Sequence, residues 1–147
     1  MVAGHAVVAG YRAAGAEADP AALLAHAQRQ GATIALPRIP SGGGAMTFHS
    51  APIDAPLEIG PYGLLQPLAS APMIVPTLVL LPLLAFTRSG KRLGQGGGYY
   101  DRTLALLPDA QRVGVAWSCQ EMPDLPVDLW DIPLHFIITE KEWILTS

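Results

Sequence analysis

Residues 5–36 read HAVVAGYRAAGAEADPAALLAHAQRQGATIAL, and this stretch decides the fold class. Its first seven residues form an apolar run, which is typical of a strand buried on both faces of a parallel sheet. A helix is predicted next, because Asp19 suits the N-cap, Pro20 suits the first helical position and Gly31 suits the residue after the helix. A second strand is predicted over residues 33–36. Strand, helix and strand in this order predict a βαβ unit.

Further elements extend this unit into a larger sheet. In chain order they are an edge strand or hairpin arm at 45–50, one short strand near Leu64 among the loops at 52–72, a central strand at 77–81, a helix at 99–107, a strand at 112–117 and, as the last strand, 135–139. The sequence therefore predicts a single domain over residues 1–147. We expect an α/β fold with three layers, in which a mostly parallel sheet carries helices on both faces. This architecture is Rossmann-like, of the type found in sugar-phosphate isomerases and CoA transferases.

Composition excludes several classes of protein. Of the 147 residues, 50% are hydrophobic and only 14% are charged, which excludes a disordered chain. The formal charge of −3 leaves no basic surface for nucleic acid or for an anionic membrane. Residues 59–87 carry no charge, but five prolines interrupt this stretch, so we expect no membrane-spanning helix. The single cysteine, Cys119, and a start without a signal peptide predict a reducing cytoplasm.

The stretch that carries chemistry is LPLLAFTRSGKRLGQGGGYYDRTLALL, residues 81–107. Its four clustered glycines let successive backbone N–H groups point into one concavity, and the helix that follows adds its positive end, so phosphate is favoured there. Arg92 can hold a phosphate with two hydrogen bonds, and Asp101 can hold Mg²⁺ against it. The pattern is neither a Walker loop nor the dinucleotide fingerprint, whose last glycine Tyr99 replaces. The alternative is a surface loop in which Asp101 only complements the helix dipole.

Residues 92–102, RLGQGGGYYDR, resemble the signature of the 5-formyltetrahydrofolate cyclo-ligase (methenyltetrahydrofolate synthetase) family. Four other segments resemble that family as well: VAGYRAAGAEADPAALL at 8–24, ATIALPRI at 32–39, YGLLQP at 62–67 and WDIPLHFIITE at 130–140. The resemblance implies an ATP- and Mg²⁺-dependent ligase of folate one-carbon metabolism, which acts on small molecules. It would close 5-formyltetrahydrofolate into 5,10-methenyltetrahydrofolate with release of ADP and phosphate. Phosphorylation of the formyl oxygen would make that poor leaving group depart.

The resemblance also implies roles for individual residues. The ATP-binding residues would be Arg92, Leu93, Gly94, Gln95, Gly96, Gly97, Gly98, Tyr99 and Tyr100, of which Arg92 and Tyr99 would be catalytic. The folate-binding residues would be Glu17, Asp19, Gln95, Gly96, Gly97, Gly98 and Tyr99. The magnesium ligands would be Asp101 and Asp131. Structural alternatives stand beside three assignments: Asp19 as a helix cap, Asp131 as a turn residue before Pro133, and Tyr62, which stacks on a pterin or, as we favour, packs against the protein.

The sequence departs from the family's pattern in several places. The family's chains begin with a basic helical segment, whereas no lysine or arginine precedes Arg12 here, which predicts slower phosphoryl transfer. Gln66, Thr87, Trp130 and His135 stand where the family has glutamate, aspartate, histidine and aspartate. A homologue that only binds nucleotide or folate is therefore the second hypothesis. A sugar-phosphate or acyl-CoA enzyme is the third, but no convincing base or nucleophilic carboxylate follows a strand. We expect a monomer or a weak homodimer.

Overall fold

The computed structural model describes residues 7–94, 98–126, 128 and 131–146. Its strands are β1 Val7–Ala9, β2 Thr33–Arg38, β3 Thr47–Ser50, β4 Leu57–Ile59, β5 Leu65–Pro67, β6 Leu78–Leu81, β7 Ala85–Phe86, β8 Arg92–Leu93, β9 Gln111–Val115, β10 Phe136–Ile138 and β11 Trp143–Leu145. Its α-helices are α1 Ala21–Arg29 and α2 Tyr99–Leu104, and short 3₁₀ turns lie at Pro61–Gly63 and Ser118–Gln120. Among these described residues, neither α-helix has the length and apolar character of a membrane span.

One sheet of seven strands organises the molecule, in the order β11-β10-β9-β6-β1-β2-β3. The five inner strands run parallel to one another. The two edge strands, β3 and β11, pair antiparallel with their neighbours. The prediction of a mostly parallel sheet is therefore confirmed, and the predicted edge strand near residues 45–50 is β3.

The predicted βαβ unit consists of β1, α1 and β2. Strands β1 and β2 pair in parallel, with Val8 opposite Ile34. The helix begins at Ala21, one residue later than predicted, and the Ala21 N–H donates to Asp19 Oδ1 at 3.0 Å. The helix ends before Gly31, whose φ of +96° only glycine adopts readily. The start and stop signals in the sequence therefore placed this helix correctly to within one residue.

Helices lie on both faces of the sheet, as predicted. The four residues of β6 are fully buried, which is expected for the central strand of a parallel sheet. Leu78 and Leu80 belong to the core cluster that includes Leu24 and Ala27 of α1. Val79 and Leu81 belong to the opposite cluster, which includes Leu104 of α2. Successive side chains of β6 thus pack in two separate hydrophobic layers, one on each face of the sheet.

Four features differ from the predictions. Residues 52–72 contain two strands rather than one, because the turn at Pro61–Gly63 folds β4 back onto β5. The segment at 135–139 is not the last strand, since β11 follows it. Helix α2 ends at Leu104, short of Leu107, because the Leu106 and Leu107 N–H groups bond to carbonyls three residues back rather than four. The β7–β8 hairpin was not predicted, because strands of two residues leave no periodic pattern.

His135, at the position where the family has aspartate, accepts a hydrogen bond inside the sheet. Its Nδ1 accepts from the backbone N–H of Arg112 at 3.0 Å, and its Nε2 lies 3.2 Å from the Arg112 guanidinium. A protonated imidazole cannot accept at either nitrogen. Burial and, secondly, the Arg112 charge hold the pKa of His135 below its ordinary value of 6.5.

This depressed pKa predicts a loss of stability on acidification that His135→Asp should remove. The unfolded chain binds a proton more readily than the folded chain below pH 6.5, so the free energy of unfolding falls as the pH drops through that window. A carboxylate stays ionised until about pH 4 and still accepts from Arg112. The Tm should therefore fall less between pH 7.5 and pH 5.5 for His135→Asp than for the wild type, as measured by thermal unfolding at both pH values. His26→Asp, on the exposed side of α1, should keep the wild-type decrease, and an equal decrease in all three proteins would contradict the prediction.

Candidate active site at the carboxyl ends of the strands

The order of the strands creates a crevice between β1 and β6. After β1 the chain moves to β2 on one side, whereas after β6 it moves to β9 on the other. The connections that leave β1 and β6 therefore run in opposite directions, which opens a crevice between these two neighbouring strands. Ligands of open α/β sheets bind at such a point, beyond the carboxyl ends of the strands. The two connections, described over residues 10–20 and over residues 82–94 and 98, contain several of the site residues expected from the resemblance.

Arg92 lies at the centre of this region, and its side chain is only 8% exposed. Its Nε donates to the Pro82 carbonyl at 3.4 Å, and its guanidinium lies 5.5 Å from the centre of the Tyr100 ring. Its Nη1 is 3.8 Å from Asp101 Oδ1. Burial lowers the pKa of Arg92, and the nearby carboxylates oppose this effect. A Cβ at Gly94 would lie 2.8 Å from Arg92 Nη2, so a larger residue there would displace the end of the Arg92 side chain.

Tyr99 begins α2 directly after Gly98, which has a φ of +69°. The guanidinium of Arg102 lies 4.9 Å from the centre of the Tyr99 ring. The Tyr99 hydroxyl is 3.2 Å from that of Tyr62, and this hydrogen bond raises the pKa of Tyr99. Tyr62 is 76% exposed and meets the Tyr99 ring edge-on. Tyr62 therefore packs edge-on against Tyr99 while most of its side chain is exposed, and the interpretation that it packs rather than stacks on a pterin stays a prediction.

The two expected metal ligands lie near the same arginine. Asp101 Oδ1 accepts from the backbone N–H of Ile132 at 3.3 Å, which joins α2 to the segment that carries Asp131. Asp131 Oδ2 accepts from the Asp128 N–H at 2.8 Å, so Asp131 does act as a turn residue. Both carboxylates act electrostatically on Arg92. Within the described ranges, no cluster of three metal-ligating side chains occurs. One or two carboxylates together with phosphate oxygens and water suit Mg²⁺, so these residues fit that ion.

The loop after β1 brings Glu17 towards the glycine-rich segment. Glu17 Oε1 accepts from the Ala14 N–H at 2.8 Å, and the Tyr11 hydroxyl donates to the Ala18 carbonyl at 2.5 Å. Burial raises the pKa of both Tyr11 and Tyr100, and the charge of Glu17 adds to each effect. Glu17 therefore lies close enough to influence both Tyr11 on its own loop and Tyr100 in the first turn of α2. Asp19, which acts as the helix cap, adds a further charge near Tyr11.

Sequence reasoning left the position of Trp117 open, and the structure places it beside this loop. The Trp117 indole N–H donates to the Ala16 carbonyl at 3.1 Å, and the side chain comes from the end of β9. The end of β9 and the loop after β1 come together because β9 pairs with β6, and no local sequence pattern reveals that pairing. Trp143 lies elsewhere, on the edge strand β11, and is half exposed. Four residues named above lie outside the described residues: Gln95, Gly96, Gly97 and Trp130.

Two of the departures from the family's pattern keep a hydrogen-bond acceptor in place. Thr87 Oγ1 accepts from the Lys91 N–H at 3.1 Å and so closes the turn of the β7–β8 hairpin. Gln66 Oε1 accepts from the Ile39 N–H at 3.1 Å and so ties β5 to the end of β2. Each neutral side chain thus provides the oxygen that a carboxylate would provide.

Thr103 fixes the first turn of α2 and is 2% exposed. Its hydroxyl donates to the Tyr99 carbonyl at 2.7 Å and accepts from the buried Met46 N–H at 2.9 Å. We expect Thr103→Val to lower the free energy of unfolding by about 1–3 kcal/mol, because the Met46 N–H loses its partner. Chemical denaturation should show this loss, and Thr103→Ser should recover most of it. Equal losses for Ser and Val would mean that the methyl group matters rather than the hydroxyl.

Comparisons with known proteins show which family has a similar sequence. A sequence model described as the 5-formyltetrahydrofolate cyclo-ligase family matches residues 1–140. The 5-formyltetrahydrofolate cyclo-ligase of Escherichia coli K12 is 34% identical over 135 residues, which cover 86% of this chain and 74% of the relative. The enzyme of the same name from Mycolicibacterium smegmatis is 30% identical over 98% of this chain and 78% of its own length. The alignment with the Haemophilus influenzae relative, at 36% identity, spans only 49% of that protein.

Solved structures show the same fold. The NMR structure of 5,10-methenyltetrahydrofolate synthetase from Aquifex aeolicus superposes with a TM-score of 0.79 at 30% identity, over 97% of this chain and 73% of that one. The Mycoplasma pneumoniae synthetase has a TM-score of 0.70 at 23% identity, over 92% of this chain and 74% of that one, which supports the fold alone. These results and the match over residues 1–140 identify the same group of proteins. The chain belongs to the 5-formyltetrahydrofolate cyclo-ligase family.

Proposed function

We propose that this protein converts 5-formyltetrahydrofolate to 5,10-methenyltetrahydrofolate and uses ATP as the co-substrate. The observation that carries the proposal is the position of buried Arg92, which lies against Gly94 and near the carboxylates of Asp101 and Asp131. This cluster faces the loop that carries Glu17 across the crevice between β1 and β6. The arrangement offers a cation for phosphate on one side and a polar loop for a second substrate on the other.

The chemistry needs a poor leaving group to be activated. The formyl oxygen of the substrate attacks the γ-phosphorus of ATP, the bond to the β-phosphate oxygen breaks, and ADP leaves. N10 of the folate then attacks the formyl carbon and loses its proton, and inorganic phosphate departs with the former formyl oxygen. The protein contributes mainly by holding both substrates in line and by stabilising negative charge.

Arg92 is suited to the charge-stabilising role. Its guanidinium is held in a fixed orientation by the Pro82 carbonyl and the Tyr100 ring, so it does not reorganise during the reaction. Burial also strengthens its interaction with a transferring phosphoryl group. Tyr99 lies at the start of α2, and its hydroxyl is directed towards Tyr62 at the edge of the site. We assign Tyr99 to the orientation of the formyl end of the substrate.

Asp101 and Asp131 would hold Mg²⁺, which neutralises charge on the phosphates of ATP when it is bound. Asp101→Asn should raise the Mg²⁺ concentration needed for half-maximal activity by at least about tenfold, since even indirect partners of a metal are worth about 10- to 100-fold in affinity. Titration of Mg²⁺ at saturating ATP measures this shift. Asp109→Asn, outside the site, should leave the titration unchanged. An unaltered titration of Asp101→Asn would show that this carboxylate does not hold the metal.

The direct test of the proposal follows the absorbance of the methenyl product with Mg²⁺, ATP and the natural isomer of 5-formyltetrahydrofolate. Product should form, and release of ADP should match it in a ratio of one to one. Chelation of Mg²⁺ should stop both signals. Binding of ATP or folate without turnover would instead identify a homologue that only binds these ligands. The single domain over residues 1–147, the state as a monomer or weak homodimer and the location in the cytoplasm stay predictions.

A further inference from the structure

A cavity of about 270 Å³ lies beside the loop after β1, on the face of the sheet that α1 covers. Its apolar walls come from α1, β2 and the segment 51–57, through Leu24, Ile34, Leu36, Ile53 and Leu57. Two charged residues of the loop, Arg12 and Asp19, also line it. The cavity is slightly smaller than the about 300 Å³ at which pockets for whole ligands begin, so it suits one part of a larger molecule.

Arg12 is the cation of this cavity, and it is exposed. Across the part of the chain that the structure describes, its guanidinium has neither a carboxylate within ion-pair distance nor a hydrogen-bond acceptor. Other arginines of the chain are engaged: Arg38 with Glu58, Arg88 with Glu121 and Glu142, and Arg92 near Asp101. Arg12 is therefore available to bind an anion from outside the protein.

Asp19 complements this cation. Its Oδ1 accepts from the Ala21 N–H, whereas Oδ2 has no hydrogen bond to any described residue. The cavity thus offers an apolar wall, one free carboxylate oxygen and one free guanidinium. Such a set fits a ligand that carries an aromatic ring, an amide N–H and a carboxylate in succession.

The substrate in the proposed function has such a segment, and this inference rests on that function. The reacting atoms, N5 and N10, must lie beside the glycine-rich segment, and the p-aminobenzoyl-glutamate tail leaves the ring system from N10. The loop that carries Arg12 and Asp19 also carries Glu17, whose charge acts on Tyr100 in the first turn of α2, two residues after Gly98. The tail can therefore extend from the reacting centre along this loop into the cavity.

We propose that the cavity beside the loop after β1 binds the p-aminobenzoyl-glutamate tail and that Arg12 binds a carboxylate of the glutamate. Arg12 is then a specificity-determining residue, which distinguishes folates with a glutamate tail from pteroates without one. It contacts no reacting atom, so it affects the binding of one substrate and not the chemical step.

The test compares two substrates, 5-formyltetrahydrofolate and 5-formyltetrahydropteroate, which lacks the glutamate. For Arg12→Ala, we expect the KM of the glutamate-bearing substrate to rise about fivefold to tenfold, as expected for loss of a charge-assisted hydrogen bond at a partly solvated site. The value of kcat and the KM of ATP should stay within about twofold of the wild type. The pteroate should be used equally well by both proteins. Arg12→Lys should recover part of the loss.

Arg29→Ala is the matched control, because Arg29 is also an exposed arginine but lies at the far end of α1. It should leave both substrates unchanged, and thermal unfolding should verify that each variant is folded. An equal rise in KM for both substrates, or no rise for either, would overturn the proposal. Wild-type protein without turnover would instead contradict the proposed function, and the same pair of ligands would then be compared by calorimetric binding. Absence of binding by either ligand would overturn both.

Discussion

Arg92→Lys is expected to lower kcat by about 100- to 1000-fold, the usual effect of losing one fixed donor at a charge that develops in a transition state. Lysine keeps the positive charge but cannot reproduce the planar guanidinium, which bonds the Pro82 carbonyl while it lies over the Tyr100 ring. It also cannot donate two parallel hydrogen bonds to a phosphoryl group. Single-turnover measurement of product formation at saturating ATP reports this loss without interference from product release.

Arg88→Lys controls for the same chemical change on the same hairpin. Arg88 lies at the tip of the β7–β8 hairpin, where it is exposed and paired with Glu121 and Glu142. It does not face the site, so we expect a change in kcat of less than about threefold, as for a surface ion pair that contributes little. A similar loss in both variants would indicate that the hairpin as a whole, rather than the Arg92 guanidinium, limits the reaction. A small effect of Arg92→Lys would remove the residue from its catalytic role.

The sequence was most informative where local signals were strong. The βαβ unit was predictable because Asp19, Pro20 and Gly31 have positional meanings that do not depend on the rest of the fold. The central strand β6 was predictable because an uninterrupted apolar run is required on both faces of a parallel sheet. The glycine-rich segment favours phosphate because backbone freedom and charge coincide in its sequence, and this site stays a prediction.

The remaining features depend on distant contacts. The β7–β8 hairpin is visible only once Phe86 pairs with Arg92, and its docking then explains why Arg92 is buried. Trp117 joins the loop after β1 through a hydrogen bond that spans 101 residues of sequence. A turn with a positive φ directs the Tyr62 ring towards Tyr99, a contact that no local sequence pattern indicates. Periodicity and propensity carry no information about such pairings.

Gly90→Ala is expected to lower the free energy of unfolding by about 2–5 kcal/mol, because two penalties combine at this residue. Gly90 has a φ of +101°, which costs a residue with a Cβ about 1–2 kcal/mol. That Cβ would also lie 2.7 Å from the Leu134 carbonyl oxygen, and relief of such crowding costs about 1–3 kcal/mol. The contact cannot relax by rotating a side chain, because the atom it meets belongs to the backbone. Urea denaturation measures the loss.

Gly31→Ala separates the two penalties. Gly31 has a similar φ of +96°, but a Cβ there would meet no atom within 4 Å, so only the backbone penalty applies. We expect Gly90→Ala to be the more destabilising variant by about 1–3 kcal/mol. Crowding between residue 90 and Leu134 should also affect function, because the Leu134 N–H donates to the Gly90 carbonyl at 2.9 Å. This contact joins the hairpin of Arg92 to the segment of Asp131, so Gly90→Ala should lower kcat as well. Equal stability of the two variants, with unchanged kcat, would show that the hairpin yields to the added methyl group and does not fix the distance between the arginine and the carboxylate.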